Sequence, residues 1–192
     1  CWIVLGLFGA LPYVFSGCCD FMDAFFETVS GLTTTGATIF SAPSRLPRGI
    51  QLWRALTQWM GGMGILVLVL ALLPKISEGS VNLMKAESPG PISTKLRPRT
   101  AETARILYRI YIALTAVEAV VLRVVGLPWF DALTTALTTI STGGFSIRDA
   151  SIAYYQSSAV NWIIVVFMFV SSVNFTLLFL AGTRRWREVL RS

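Results

Sequence analysis

Ser30-Gly31-Leu32-Thr33-Thr34-Thr35-Gly36-Ala37-Thr38 is an uncharged run of hydroxyls and glycines set between two apolar segments. A second version, Ile140-Ser141-Thr142-Gly143-Gly144-Phe145-Ser146, follows 108 positions later. The match extends past the glycines. Asp23-Ala24 aligns with Asp131-Ala132, Leu32 with Ile140, Thr34 with Thr142, Gly36 with Gly144 and Thr38 with Ser146. Each copy follows a short helical pattern and precedes a long apolar segment. A repeat at fixed spacing marks one structural unit used twice. We read both copies as re-entrant pore loops, in which a half-helix enters the membrane and an extended strand returns. Irregular backbone at that depth is tolerated only where it is buried in protein or lines a water-filled cavity. Carbonyls aimed into such a cavity replace the hydration shell of a cation. Glycine permits the backbone angles that align them, and threonine adds an oxygen without adding charge. A polar turn between helices would explain one copy alone; two copies in matched context favour the pore loop.

Composition agrees. Of 192 residues, 54% are hydrophobic and 14% charged, against about 25% charged in a soluble domain. The expected class is an all-α integral membrane protein. The net charge of +6 would suit nucleic acid, but its placement argues otherwise. Eleven of the sixteen Lys and Arg residues lie in 75–109 and 184–191, beside apolar segments, as cytoplasmic flanks do. Both regions are therefore assigned to the cytoplasm. There is no histidine, and the cysteines are Cys1 and the adjacent pair Cys18 and Cys19. That leaves no Cys/His metal spacing, and Cys18 and Cys19 read as loop thiols without an assigned role. The chain opens inside an apolar run without Met, so a longer parent protein is expected.

Taken in order, residues 1–15 are the outer half of a helix, and Asp20 or Asp23 is positioned to cap the next one. Residues 21–32 form the first half-helix, about 12 residues where a full crossing needs about 20. Its C-terminal end carries partial negative charge, which favours a cation. Residues 50–73 form a full helix ending before Pro74, and Trp59-Met60-Gly61-Gly62-Met63-Gly64 within it reads as small-residue helix packing. Arg54, near its outer end, either snorkels or pairs with a carboxylate. Residues 75–99, with Pro89-Gly90-Pro91, form a linker that is either solvated or a docking surface. Residues 100–125 are the next helix, 129–140 the second half-helix and 159–182 the last span. Glu118 has two readings, an intramembrane ion ligand or a carboxylate near the outer interface beside Arg123. The domain boundaries are 1–74 and 100–183 for two helix–pore loop–helix repeats in parallel orientation, 75–99 for the linker and 184–192 for a basic tail.

The run from Asp23-Ala24-Phe25-Phe26-Glu27 through Thr38 resembles the first pore loop of the bacterial Trk potassium-uptake proteins. Trp53-Arg54 and Gln58-Trp59-Met60-Gly61-Gly62-Met63-Gly64-Ile65 resemble the helix after it. Lys85 to Pro91 with Arg97-Pro98-Arg99 resembles the family's cytoplasmic connection. Ser141-Thr142-Gly143-Gly144-Phe145-Ser146 with Asp149-Ala150-Ser151-Ile152 resembles its second pore loop. The resemblance implies K⁺ uptake across the bacterial inner membrane by a multi-pass protein of four such repeats around one pore. This chain would supply repeats one and two, and repeats three and four would come from the parent chain. It implies filter residues Thr34, Thr35, Gly36, Thr142, Gly143 and Gly144, with K⁺ as the transported ion and no organic cofactor. It also implies a homodimer in the lipid bilayer, a cytosolic nucleotide-binding regulatory subunit, and no nucleic-acid partner.

Two other classes compete. A membrane enzyme would need a nucleophile with a base, or a metal set, and neither stands out; Asp23 and Asp131 are better explained as helix caps than as a catalytic pair. A structural or regulatory bundle would not need two polar, glycine-bearing half-spans in register. The single central glycine of the first loop predicts a looser filter than one with two.

Overall fold

The computed structural model describes residues 2–64 and 100–172, with side chains from 3–64 and 107–172. Among the described residues the chain is helical throughout, with no strand. Six helices follow in order: α1 (Trp2–Phe15), α2 (Phe21–Leu32), α3 (48–64), α4 (Thr100–Val124), α5 (Trp129–Ile140) and α6 (Ser158–Ser172). The 3₁₀ turns Pro43–Arg45 and Ser151–Tyr155 interrupt the two connections that lead into α3 and α6. The linker and the basic tail lie outside the described residues.

Helices form over both expected short segments, Phe21–Leu32 and Trp129–Ile140. In α2, Ala24, Glu27, Thr28 and Gly31 are buried, which is the spacing of one helix face. Gly6 and Gly9 of α1 admit that face: a Cβ at Gly6 would come within 2.8 Å of Phe25, and one at Gly9 within 2.5 Å of Thr28. Ala10, Tyr13, Ala24 and Ile50 close this first core. The second core gathers Leu122, Leu127, Ala132, Val160 and Ile164 from α4, α5, α6 and the turn before α5.

Helix α3 joins the two halves. The Trp53 indole donates to the Gly9 carbonyl at 3.0 Å. The Trp59 indole donates to the Thr115 hydroxyl at 3.1 Å, and the Tyr111 hydroxyl donates to the Trp59 carbonyl at 3.1 Å. Gly61 and Gly62 are glycine for a steric reason. A Cβ on Gly61 would strike the backbone carbonyl of Leu32, and one on Gly62 would sit 2.7 Å from the Tyr111 hydroxyl and 3.1 Å from Ser141. The glycine box therefore admits the ends of both short helices.

Two expectations need revision or a boundary. Asp23 and Asp131 are not caps: they lie in the first turns of α2 and α5, whose N-caps are Asp20 and Pro128, and neither cap residue makes a side-chain capping bond. Among the described residues no helix is long and apolar enough to cross a membrane. The expected spans 50–73 and 159–182 run beyond the described residues, and Glu102, Arg105, Arg109, Glu118 and Arg123 recur along α4.

Packing at Gly61 can be checked by substitution. Gly61→Ala should destabilise the intact protein by about 1–3 kcal/mol, as overpacking against backbone does. Gly49→Ala, where a Cβ meets nothing within 4 Å, should leave the melting temperature unchanged or slightly raised. Thermal unfolding of the purified protein measures both.

Candidate functional site

The two glycine-bearing loops begin with the same hydrogen bonds. At the end of α2, the Thr34 amide donates to the Gly31 carbonyl at 2.9 Å and the Thr35 amide to Ser30 at 3.0 Å. At the end of α5, the Thr142 amide donates to Thr139 at 2.9 Å and the Gly143 amide to Thr138 at 3.0 Å. This is the Schellman ending, which places its next residue in the left-handed region and ordinarily uses glycine there. Here that residue is threonine in both loops, with φ 55° at Thr34 and 54° at Thr142. A β-branched residue with positive φ is an outlier, and such strain costs about 1–3 kcal/mol. Two residues on, Gly36 and Gly144 return to positive φ, at 77° and 79°. Left-handed residues thus alternate with others in each loop. That alternation is able to turn successive carbonyls toward one side.

Above these residues a buried ion pair ties the loops together. Arg54 of α3 donates from Nε to Glu27 Oε1 of α2 at 2.8 Å, and the two side chains are 1% and 0% exposed. Glu27 also accepts from the Thr38 hydroxyl at 2.8 Å and the Ile39 amide at 3.0 Å. Arg54 spends its other nitrogens on the loops, donating to Thr38 Oγ1 and to the Ser146 carbonyl, both at 3.0 Å. Its guanidinium lies 4.4 Å from the centre of the Phe145 ring, in cation–π range. One turn further along α3, Gln58 is wholly buried, and its Oε1 accepts the Phe145 amide at 3.0 Å. The loops touch at their glycines, where a Cβ on Gly36 would strike the Gly143 carbonyl. A cavity of about 170 Å³ opens beside them, with Gly36, Thr38, Arg54, Gly144 and Ser146 in its lining.

The second loop has a clamp of its own. Arg148 donates to Asp131 Oδ2 at 3.0 and 2.7 Å, and Tyr155 donates to the same oxygen at 2.9 Å. Beyond this clamp Asp149 accepts from the Ser44 amide at 3.0 Å and its hydroxyl at 2.7 Å. Those two bonds, the amide first, hold the Asp149 carboxyl below the usual carboxylate range. A carboxylate lowered in the fold adds stability above its unfolded pKa of about 3.9 and loses it only as pH falls through the lower folded value. The link therefore persists at neutral and mildly acidic pH.

Thr34, Thr35 and Gly36 lie in one loop and Thr142, Gly143 and Gly144 in the other, and Gly36 adjoins Gly143. Arg54 takes the carboxylate partner that was one of its two readings. Glu118 is fully buried on α4, with neither oxygen hydrogen-bonded among the described residues. Glu27 and Gln58 were not singled out as functional residues; the signal available was only an acidic and an amide side chain within buried helix faces that also carry other polar residues.

Comparison with known proteins identifies the family. A family model described as TrkH, cation transport protein, matches residues 1–191. The chain belongs to the TrkH family. It is 48% identical over 181 residues to the Trk system potassium uptake protein TrkH of Salmonella typhimurium, covering 93% of this chain and 38% of that protein. It is 38% identical over 187 residues to TrkG of Escherichia coli K12, covering 96% and 39%. The crystal structure of the potassium transporter TrkH from Vibrio parahaemolyticus superposes with a TM-score of 0.79 at 42% identity, covering 94% of this chain and 36% of that one. The chain thus spans somewhat over a third of the length of these TrkH-family relatives.

The buried pair yields a sharp expectation. Arg54→Met should destabilise the intact protein by about 3–5 kcal/mol, because it leaves the Glu27 charge buried and unpaired. Adding Glu27→Gln should recover part of that loss. Unfolding of the single and double variants in detergent measures the difference, and additive losses would show that the pair is not coupled.

Proposed function

We propose that this chain builds two of four helix–pore loop–helix repeats in a potassium-uptake protein of the bacterial inner membrane. The observation that carries the reading is the repeated strained threonine. Thr34 and Thr142 share a left-handed φ within a degree, and Gly36 and Gly144 follow at the same spacing. Strain kept at matched positions of two loops points to function at those positions. Thr34, Thr35, Gly36, Thr142, Gly143 and Gly144 would then offer carbonyl and hydroxyl oxygens to dehydrated K⁺. The relatives' names, potassium uptake protein and potassium transporter, support the ion, and support a transporter over an enzyme.

The distribution of polarity supports a lipid setting. Glu27, Arg54, Gln58 and Glu118 are buried, while Ile3, Phe8, Trp162 and Phe169 are each about 70% exposed. That is the reverse of what water selects, and it suits a multi-pass chain with lipid outside and polar loops inside. The repeats occupy 1–74 and 100–183, with the linker 75–99 and tail 184–192 on the cytoplasmic side by their basic charge. Repeats three and four of the parent protein complete the pore wall. The assembly would be a homodimer regulated by a cytosolic nucleotide-binding subunit, with the basic charge of the linker as the feature that suits it for docking.

Rb⁺ uptake into liposomes holding the intact protein tests this reading, with K⁺ and Na⁺ as competitors. Wild-type uptake should be blocked better by K⁺ than by Na⁺. Gly36→Ser should abolish uptake or its selectivity, since it combines a positive φ with a collision at Gly143. Gly144→Ser, which meets nothing within 4 Å in this chain, should lower the K⁺ preference through backbone strain of about 1–2 kcal/mol. Unchanged competition ratios in both variants would refute the filter assignment. Absence of wild-type uptake with the regulatory partner and nucleotide present would favour a structural bundle.

A further inference from the structure

We infer that Gln58 is a positioning residue that sets the separation of the two loop strands and thereby the size of ion the pore prefers. The inference rests on the pore reading above and adds a residue outside the loops. Gln58 stands on α3 with no exposed surface. Its Oε1 is fixed by the Phe145 amide at 3.0 Å, immediately after Gly144. That bond also fixes which end of the carboxamide is nitrogen, since only the oxygen can accept. The nitrogen, Nε2, has no hydrogen-bond partner among the described residues.

That nitrogen lies at the seam between the loops. A Cβ built on Gly143 would come within 2.7 Å of Nε2 and about as close to the rest of the carboxamide. A Cβ on Gly36 would lie 3.8 Å from Nε2 after striking the Gly143 carbonyl. Gln58 therefore meets the second strand at Gly143 and, two residues on, at Phe145, and reaches the edge of the first. Arg54 does different work, bonding to Thr38 and Ser146, which follow the glycines. Among these braces, Gln58 is the one at glycine level. A buried, unpartnered donor is unfavourable by about 1–3 kcal/mol. Here it faces backbone that the pore reading assigns to ion coordination. A buried amide packed behind Gly143 and bonded to Phe145 fixes where the second strand stands against Gly36, and the spacing of the carbonyls bears on which dehydrated cation they fit.

The test uses the intact protein in liposomes and reads the ratio of K⁺ to Na⁺ inhibition of Rb⁺ uptake, which loss of folded protein alone would not move. Gln58→Met keeps the length and removes both polar ends. It should lower the ratio by about fivefold, the scale of one lost hydrogen bond. Gln58→Glu keeps the acceptor for Phe145 and replaces the free donor, and should lower the ratio by less. Should the Met variant not accumulate, the Glu variant decides. A wild-type ratio in any folded Gln58 variant overturns the inference. A second measurement reads the contact itself. Gly143→Ala should block assembly or uptake alone and should regain it when combined with Gln58→Ala, which vacates the space. Equal damage in both backgrounds also overturns the inference. Failure of the pore reading would show separately, as wild-type uptake without K⁺ preference.

Discussion

One face of helix α3 constrains everything around it. Arg54, Gln58, Gly61 and Gly62 stand at i, i+4, i+7 and i+8, the spacing of a single helical stripe. Arg54 and Gln58 reach out from that stripe and hold both loops by their backbone and side chains. Gly61 and Gly62 draw in and admit the ends of α2 and α5. Long polar side chains and missing side chains thus act together. The first pair grips the loops, and the second lets the helices that launch them come close enough to be gripped. Loops strained at Thr34 and Thr142 need this kind of frame, because an unusual φ persists only where the surroundings over-determine it.

The frame also explains why charge is tolerated at its centre. An isolated buried guanidinium or carboxylate would be strongly unfavourable. Arg54 and Glu27 avoid that by pairing and by placing their remaining donors and acceptors on Thr38, Ile39 and Ser146. Such a pair contributes little net stability over an apolar substitute. What it contributes is register. Thr38 is bonded by both members of the pair, so the first loop cannot slide along α3 without breaking several charged hydrogen bonds together.

Much of this was legible in the sequence. The residues of both short helices, 21–32 and 129–140, follow from the sequence repeat and from the glycine and hydroxyl runs that stop them. The repeat offset aligned Thr34 with Thr142 and Gly36 with Gly144, and the backbone angles at these positions agree closely. The helix-cap reading of Asp23 and Asp131 failed because a carboxylate in a first turn has two outlets, its own helix end or a distant cation. Asp131 takes the second, through Arg148 and Tyr155. Gln58 was not readable as a brace because its partner is Phe145, 87 residues away, and no periodicity encodes a bond from a side chain to a remote amide. Glu27 was hidden for a related reason: its spacing marks a buried face, but its cation lies on another helix.

The two halves are not equivalent, and the difference lies in their long helices. Counted from the helix starts at 48 and 158, Ile164 and Met168 of α6 stand where Arg54 and Gln58 stand in α3. Both line the cavity that also borders Thr142 and Gly144, but neither can donate or accept as its counterpart does. The second loop consequently takes its glycine-level support from α3 of the first half. It supplements this with the cluster of Arg148, Asp131 and Tyr155. The first loop takes its support from α2 and α3, within its own half. A polar brace on α3 alone holds two loops with one set of buried charges, where a copy on α6 would double the desolvation penalty. The sequence repeat therefore preserves the backbone of the loops while the machinery that positions them is concentrated in one helix.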